Sequence, residues 1–301
     1  MPGVAATVLI GLALGVHGVG APSLLERLTP GTLQPETKPA LLPNSRFGYA
    51  YARREGTIAL VVKPVATGQP IRILDASTLR VRHVISVGDR DVCGLTFRAT
   101  TLVALAGNHL PCGTPGESYS LLRIDTARGR IRGIVSLRRL GSVFPTNLAF
   151  GDGFAFVTRP GGDVDSINLK TASVVSHRPR RSLAKGDEIV EAHWLGRDLL
   201  AAGSTVVNVR TWQRRALAAG AAGVTAGRDD VVVYGADGIV DYTTSFHRRY
   251  SARAEDDVLQ AWISGRTLYA QVGSWIDVID LAGGKLVRTV DDPSPFLFLA
   301  A

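Results

Sequence analysis

Three features of the sequence predict an all-β propeller built of four-stranded blades. A hydrophobic segment that runs into a polar turn and then into an Arg-bearing segment occurs six times. The copies are Ile71-Arg-Ile-Leu-Asp75, Leu122-Arg-Ile-Asp125, Ser166-Ile-Asn168, Val206-Val-Asn208, Ile239-Val-Asp241 and Ile276-Asp-Val-Ile-Asp280. From Asp75 the aligned Asp/Asn positions advance by 50, 43, 40, 33 and 39 residues, and a period near ~40 fits one propeller blade per repeat. Alternating apolar segments are separated by turns rich in Gly, of which there are 33, and helical periodicity is absent after the N-terminus. Six blades are predicted, with seven as the alternative.

The elements follow in chain order. Val4 to Val19 is apolar apart from Gly and His17, and ends in small residues near Gly18-Val19-Gly20, the pattern of a signal-peptidase site. Residues 1–20 are read as a signal peptide or, if uncleaved, as an N-terminal anchor, since a span needs about 20 apolar residues. Residues 21–45 carry Pro22, Pro30, Pro35, Pro39 and Pro43. Proline is excluded from central strands, so the propeller is predicted to occupy residues 46–301.

Within each repeat four strands can be written from the channel outward. The first blade runs from Phe47 through Thr57 and Ile71 to Val81, and the second covers Val92 to Leu137. Later blades start at Asn147, Ile189 and near Gly223, the fifth being the shortest, and the sixth ends at Val290. Pro295-Phe-Leu-Phe-Leu-Ala reads as one more innermost strand, which either closes the ring against the first blade or belongs to a seventh completed by Ala21 to Ser45. Each repeated Asp or Asn is explained locally: its side chain bonds backbone two residues on and turns the strand.

The chain has 301 residues, 46% hydrophobic and 20% charged, a composition that buries a core and is compatible with one all-β domain. Cys93 and Cys112 are its only cysteines. An even pair in an exported chain predicts one disulfide, because Cys93 opens an innermost strand and Cys112 lies in a connection at the same end of that blade.

These repeats resemble YVTN-type β-propellers, whose units read Ile-Asp, a short turn, Gly, Lys and a Val-rich strand. Val278-Ile-Asp280-Leu-Ala-Gly-Gly284-Lys285 matches best, then Leu122-Arg-Ile-Asp125-Thr-Ala-Arg-Gly129. The other four copies lack the Gly or the Asp. The resemblance spans the chain from about Phe47 onward and implies a secreted or periplasmic binding scaffold rather than a defined activity.

A net charge of +8 invites a nucleic-acid reading, but the cations fall on the predicted outermost strands: Arg80 and Arg82, Arg130 and Arg132, His177 and Arg178, Arg214 and Arg215, Arg248 and Arg249, Lys285 and Arg288. Charge on an exposed strand edge blocks edge-to-edge aggregation. Aromatic residues interleaved with the cations, as single-strand binders need, are absent, so no nucleic-acid partner is expected.

Acidic residues gather in the connections into innermost strands: Asp89 and Asp91, Asp187 and Glu188, Asp256 and Asp257. Those connections share one face of a propeller, and His109 lies in the long insertion Asn108 to Glu117 at the same end. These seven residues are the candidate ligand site. Carboxylates around a channel mouth are similar to the layout of gluconolactonase-like hydrolases, which implies Ca²⁺ as a ligand. Ser182-Leu-Ala-Lys185 spells Ser-x-x-Lys without the helical turn that chemistry needs, and no phosphate loop or zinc signature occurs. The expectation is a monomeric, non-catalytic, extracytoplasmic scaffold without a cofactor. Its predicted ligand is a protein or envelope polymer, and membrane contact is expected only through an uncleaved N-terminus. The alternative is a Ca²⁺-dependent lactonase-like hydrolase.

Overall fold

A computed structural model describes residues 9–13, 23–29, 33, 36, 38, 40–42, 49–54, 56–62, 68–137, 140–144, 146–159, 163–177, 192–202, 205–216, 221–227, 229–236, 238–243, 245–254, 256–273, 275–291 and 296–299. The described residues contain β-strands and no helix, as the alternating sequence predicts. The strands form four-stranded antiparallel sheets, and the fold class is the all-β propeller. The chain divides into two compact units, Pro43–Arg215 and Met1–Leu42 with Ala216–Ala301.

The first unit holds four sheets, each a meander of consecutive strands. They are β4 (Tyr49–Arg54), β5 (Thr57–Val62), β6 (Ile71–Asp75) and β7 (Val81–Ile85); β8 (Asp91–Arg98), β9 (Thr101–Gly107), β10 (Tyr119–Asp125) and β11 (Arg130–Leu137); β12 (Leu148–Gly151), β13 (Phe154–Thr158), β14 (Val164–Asn168) and β15 (Val174–His177); and β16 (Ala192–Gly196), β17 (Leu199–Ala202), β18 (Thr205–Asn208) and β19 (Arg214–Ala216). The first strands of successive sheets, β4, β8, β12 and β16, lie beside one another. Gly94 marks one such approach, since a Cβ there would fall 2.6 Å from Leu148 and 2.7 Å from Phe150.

Successive side chains of a strand point to opposite faces, so each inner sheet fills two cores. On β9, Leu102, Ala104 and Ala106 pack with Val61 and Ile73 of the first sheet. The intervening Val103 and Leu105 pack with Leu148 and Val157 of the third. The fourth strands are exposed, and Arg80, Arg82, Arg130, Arg132, Arg214 and Arg248 all face solvent. Arg178 lies outside the described residues.

The second unit holds β20 (Ala221–Ala226), β21 (Asp230–Gly235), β22 (Gly238–Thr243) and β23 (Arg248–Ala252), then β24 (Val258–Ser264), β25 (Thr267–Val272), β26 (Trp275–Asp280) and β27 (Lys285–Asp291). Six sheets are thus contiguous in sequence, as predicted. A seventh draws on both ends of the chain, in the order β28 (Phe296–Leu299), β1 (Leu9–Ala13), β2 (Ser23–Leu28), β3 (Ala40–Leu42). This is the seven-bladed alternative, and it changes how the N-terminal residues are used. Leu9–Ala13, inside the predicted leader, is paired on both sides, Leu12 with Leu25 and with Leu297. The Pro-rich segment supplies two strands because their residues fall between the prolines. No helix of the described residues is long and apolar enough to cross a membrane.

The repeated turn follows one plan. Asp75, Asp125, Asn168, Asn208 and Asp280 each accept backbone N–H groups two or three residues on. The position four residues after each of them has a left-handed backbone: Leu79, Gly129, Ala172, Trp212 and Gly284, with φ between 55° and 64°. The Gly of the YVTN-like pattern therefore serves the turn, and its replacement elsewhere leaves the conformation unchanged. Blade 5 differs from the sequence reading. Its turn begins at Thr243, whose Oγ1 accepts the His247 N–H at 3.0 Å, and Phe246 takes the left-handed position. Asp241 is therefore two residues upstream, within β22, and does not serve a turn.

Asp241 is instead fully buried, and neither carboxylate oxygen has a well-formed hydrogen bond. Arg249, placed by a bulge in β23, comes within 3.7 Å of it while bonding Asp230 and the Asp229 carbonyl. Arg249 is thus drawn inward rather than serving only as an edge cation. Burial, then the charge of Asp230, pushes the Asp241 carboxyl up to about 6, against the pull of the Arg249 guanidinium and the Tyr242 N–H. The neighbouring Tyr250 hydroxyl is also buried without a partner, and burial pushes its pKa upward.

Candidate functional site

Among the residues singled out in the sequence, Cys93, Cys112, Asp91 and Asp256 have structural roles. The predicted disulfide is present, with Cα atoms of Cys93 and Cys112 5.6 Å apart. Asp91 opens β8 and accepts the Cys112 N–H at 2.8 Å, so its carboxylate fastens the disulfide loop. Asp89 and His109 are exposed, and the His109 N–H donates to Glu117 at 3.2 Å. Glu117 was not among the candidates, yet it organises the insertion by accepting N–H groups of Asn108, His109, Leu110 and Ser118. Burial raises its pKa, but the four donors outweigh that and hold it below the usual range. In the other unit, Asp256 and Asp257 are exposed, and Asp256 accepts the Asp257 N–H at 2.8 Å. Asp187 and Glu188, like Ser182 and Lys185, lie outside the described residues. Among the described residues no three His, Cys, Asp or Glu side chains are grouped as a metal ion requires.

A cavity lined by described residues lies elsewhere, between the third and fourth sheets of the first unit. It has a volume of about 500 Å³, within the size range of small-ligand sites. In an antiparallel meander the first-to-second and third-to-fourth turns lie at one end, and the insertion and acidic connections at the other. The cavity opens at the former end, opposite the residues the sequence favoured.

Each wall has a local cause. Asp152-Gly153 and Arg197-Asp198 are two-residue hairpin turns with positive φ at both positions, 45° and 81°, then 49° and 62°, as twisted hairpins require. They bring Asp152 and Asp198 to the rim. Phe154 and Phe156 follow on β13 at the period-2 spacing that puts both on one face. Trp194 on β16 lies parallel to Phe156, with ring centres 5.3 Å apart. Gly151 allows this, because a Cβ there would fall 2.0 Å from the indole.

The opposite wall is His177 on β15, stacked on Trp212 at 3.8 Å. His177 Nε2 and Ser166 Oγ are 2.9 Å apart. Burial lowers the His177 pKa, more than the nearby Asp165 charge raises it, so the ring is neutral at pH 7. Arg210 at the rim is held by Asp198, Nε to carboxylate 2.7 Å. Phe154, Phe156, Trp194 and Trp212 therefore converge from two strands and a turn.

Trp212 occupies the left-handed turn position, φ 55°, where a Cβ-bearing residue costs about 1–2 kcal/mol. Strain of this kind is concentrated at functional sites. Replacement by Gly is therefore expected to give a protein about 1 kcal/mol more stable than replacement by Ala, the reverse of the usual order. Urea unfolding of the two variants measures this; an Ala variant as stable as the Gly variant would mean that the turn carries no strain.

No protein-family model matches the chain, and no curated protein matches it. Among solved structures it is similar to the computationally designed Ika8 protein, at 14% identity and a TM-score of 0.60 over 95% of this chain and 87% of that one. It is also similar to apo AztD from Citrobacter koseri, at 13% identity and a TM-score of 0.56 over 98% of each chain. At such identities the likeness is one of fold, and the class it defines is the β-propeller. The disulfide, in this fold, points to an oxidising, extracytoplasmic compartment.

Proposed function

We propose that this chain is a non-catalytic, extracytoplasmic binding propeller that holds a protein or polymer ligand by receiving one of its groups in the cleft between the third and fourth sheets. The observation that carries the reading is the convergence of four aromatic rings and two carboxylates on one cavity. Such a site combines a large apolar contact area with a few orienting polar groups, the composition of binding sites in general. A propeller leaves the choice of ligand to such a site. The strained Trp212 supports the same reading, since the turn itself would be served better by Gly.

The test uses the Trp212→Gly variant, in which the backbone turn is retained and one wall is removed. Secreted and envelope fractions, separated into proteins and glycans, are passed over immobilised wild-type and variant protein. The wild type is expected to retain a ligand that the variant loses by tenfold or more, with both proteins folded. Equal retention would place the ligand away from the cleft.

The Ca²⁺-dependent hydrolase is the weaker reading, because Asp91 and Asp256 already accept backbone N–H groups. A binding propeller without Ca²⁺ has the same thermal midpoint in EDTA and in millimolar Ca²⁺, whereas a folded-state Ca²⁺ site raises it. A reproducible rise in Ca²⁺ would reinstate the hydrolase.

A further inference from the structure

We infer that the group received by this cleft is an organic ammonium ion, held over the aromatic faces and steered by Asp152; the inference rests on the cleft being the binding site. The faces of Trp and Phe carry negative potential that attracts a cation, most strongly where water is partly excluded. Phe156 is buried, and Phe154, Trp194 and Trp212 are half-buried, so the rings form a sheltered floor rather than an exposed platform.

The charges around the floor favour the same ligand. Asp198 is already matched by Arg210. Asp152 is exposed and, among the described residues, has no ion pair or hydrogen bond, although Arg98 reaches to 4.0 Å from the Cβ that Gly153 would carry. His177, whose pKa burial lowers, adds no positive charge at neutral pH. In a chain with net charge +8, this cleft therefore has an uncompensated carboxylate beside aromatic rings. An anionic ligand would meet Asp152 unfavourably, and a neutral one would leave it unused.

Arg210 and Arg98 do not fill the role themselves. The first is tied to Asp198 at the rim, and the second makes no ion pair with Asp152 among the described residues, although it lies near Gly153. A cation with methyl or methylene surface matches the floor, because it buries apolar area and keeps its charge near the carboxylate. Such a group is found on free quaternary amines and on lysine side chains, and the two sources are separable by probe.

Calorimetric titration of the full chain with choline is compared with 3,3-dimethyl-1-butanol, its uncharged isostere. An acetylated, amidated Gly-Lys-Gly tripeptide is compared with its Gly-norleucine-Gly counterpart, and methyl glucoside serves as a neutral polar probe. At least one cation is expected to bind about tenfold tighter than its neutral partner. Tighter choline identifies a free amine, and a tighter Lys peptide a protein ligand. Asp152→Asn is expected to weaken the cation roughly threefold without changing the neutral probe, and Asn accepts the left-handed backbone there as well as Asp does. Neutral isosteres binding as tightly as the cations, or methyl glucoside binding alone, would overturn the ammonium assignment while keeping the cleft as the site. Absence of binding by every probe overturns it as well, and if Trp212→Gly also retains the natural ligand, the cleft reading fails with it.

Discussion

Replacing Asp241 by Asn is expected to stabilise the protein by about 1–3 kcal/mol at pH 8 and to leave it nearly unchanged at pH 4. The sign follows from the direction of the shift. Burial places the folded-state pKa near 6, above the ordinary carboxylate value, so between pH 4 and pH 6 the folded chain keeps a proton that the unfolded chain has released. The contribution of this group to stability is fully present below the unfolded pKa and is lost as pH rises through 6. Above that, the folded state holds a buried anion without well-formed hydrogen bonds. Asn has the same shape and no charge, and Arg249 retains Asp230 as its partner. Urea titrations of both proteins across this pH range should converge in acid and diverge in base. A variant less stable than wild type at pH 8 would mean that the Arg249 attraction outweighs the cost of burying the charge.

The second large effect is expected at the disulfide. Cys93 and Cys112 close a separation of 19 residues, for which loop-closure entropy gives about 3 kcal/mol. The double replacement Cys93→Ser with Cys112→Ser should lower stability by that amount. It should also remove the sensitivity of the thermal midpoint to reductant that wild type shows. The loop has a second attachment, the Asp91 carboxylate on the Cys112 N–H, so the variant should fold with the same strands and differ mainly in midpoint. Intact-mass measurement with alkylation provides the control, and two alkylatable thiols in native wild type would remove the premise.

The parts that could be read from the sequence are those in which short-range chemistry decides structure. Asp75 or Asn208 turns its strand because its own side chain reaches N–H groups two and three residues away, which is a property of a pentapeptide. The same rule failed at Asp241, where Thr243 performs the turn and the Asp is left for the interior. An Asp that ends an apolar triplet looks alike in both cases. The Pro-rich segment concealed β2 and β3 because proline density was weighed over the whole segment, whereas pairing depends only on the residues between prolines. Leu9–Ala13 is equally ambiguous in sequence, since a leader and a strand paired on both sides are both short apolar runs.

The cleft could not be read, because its residues share no spacing. Phe154 and Phe156 form one pair, but Trp194 and Trp212 belong to the next repeat, and their meeting depends on how two sheets pack. One signal was available: Trp212 stands at the position where two better-preserved repeats have Gly. A bulky aromatic at a turn position that favours Gly marks a side chain kept for what it touches. The acidic connections stand out in the sequence by their number, although backbone N–H groups claim Asp91 and Asp256.

The seventh sheet has a consequence for the order in which the protein is made. Each of the other six sheets uses neighbouring stretches of chain and can assemble as those stretches emerge. Strand β1 precedes the other six sheets along the chain, yet one of its two partners is β28, which follows all of them. The sheet must wait until β28 has been made, and pairing across so long a separation is slow to form. Until then the edges of β1 and β28 are open to other chains. Growing polypeptide on the ribosome, or chain threading through an export channel, would thus present six finished sheets and one unfinished seam, and the seam is where chaperone contact during biogenesis is expected.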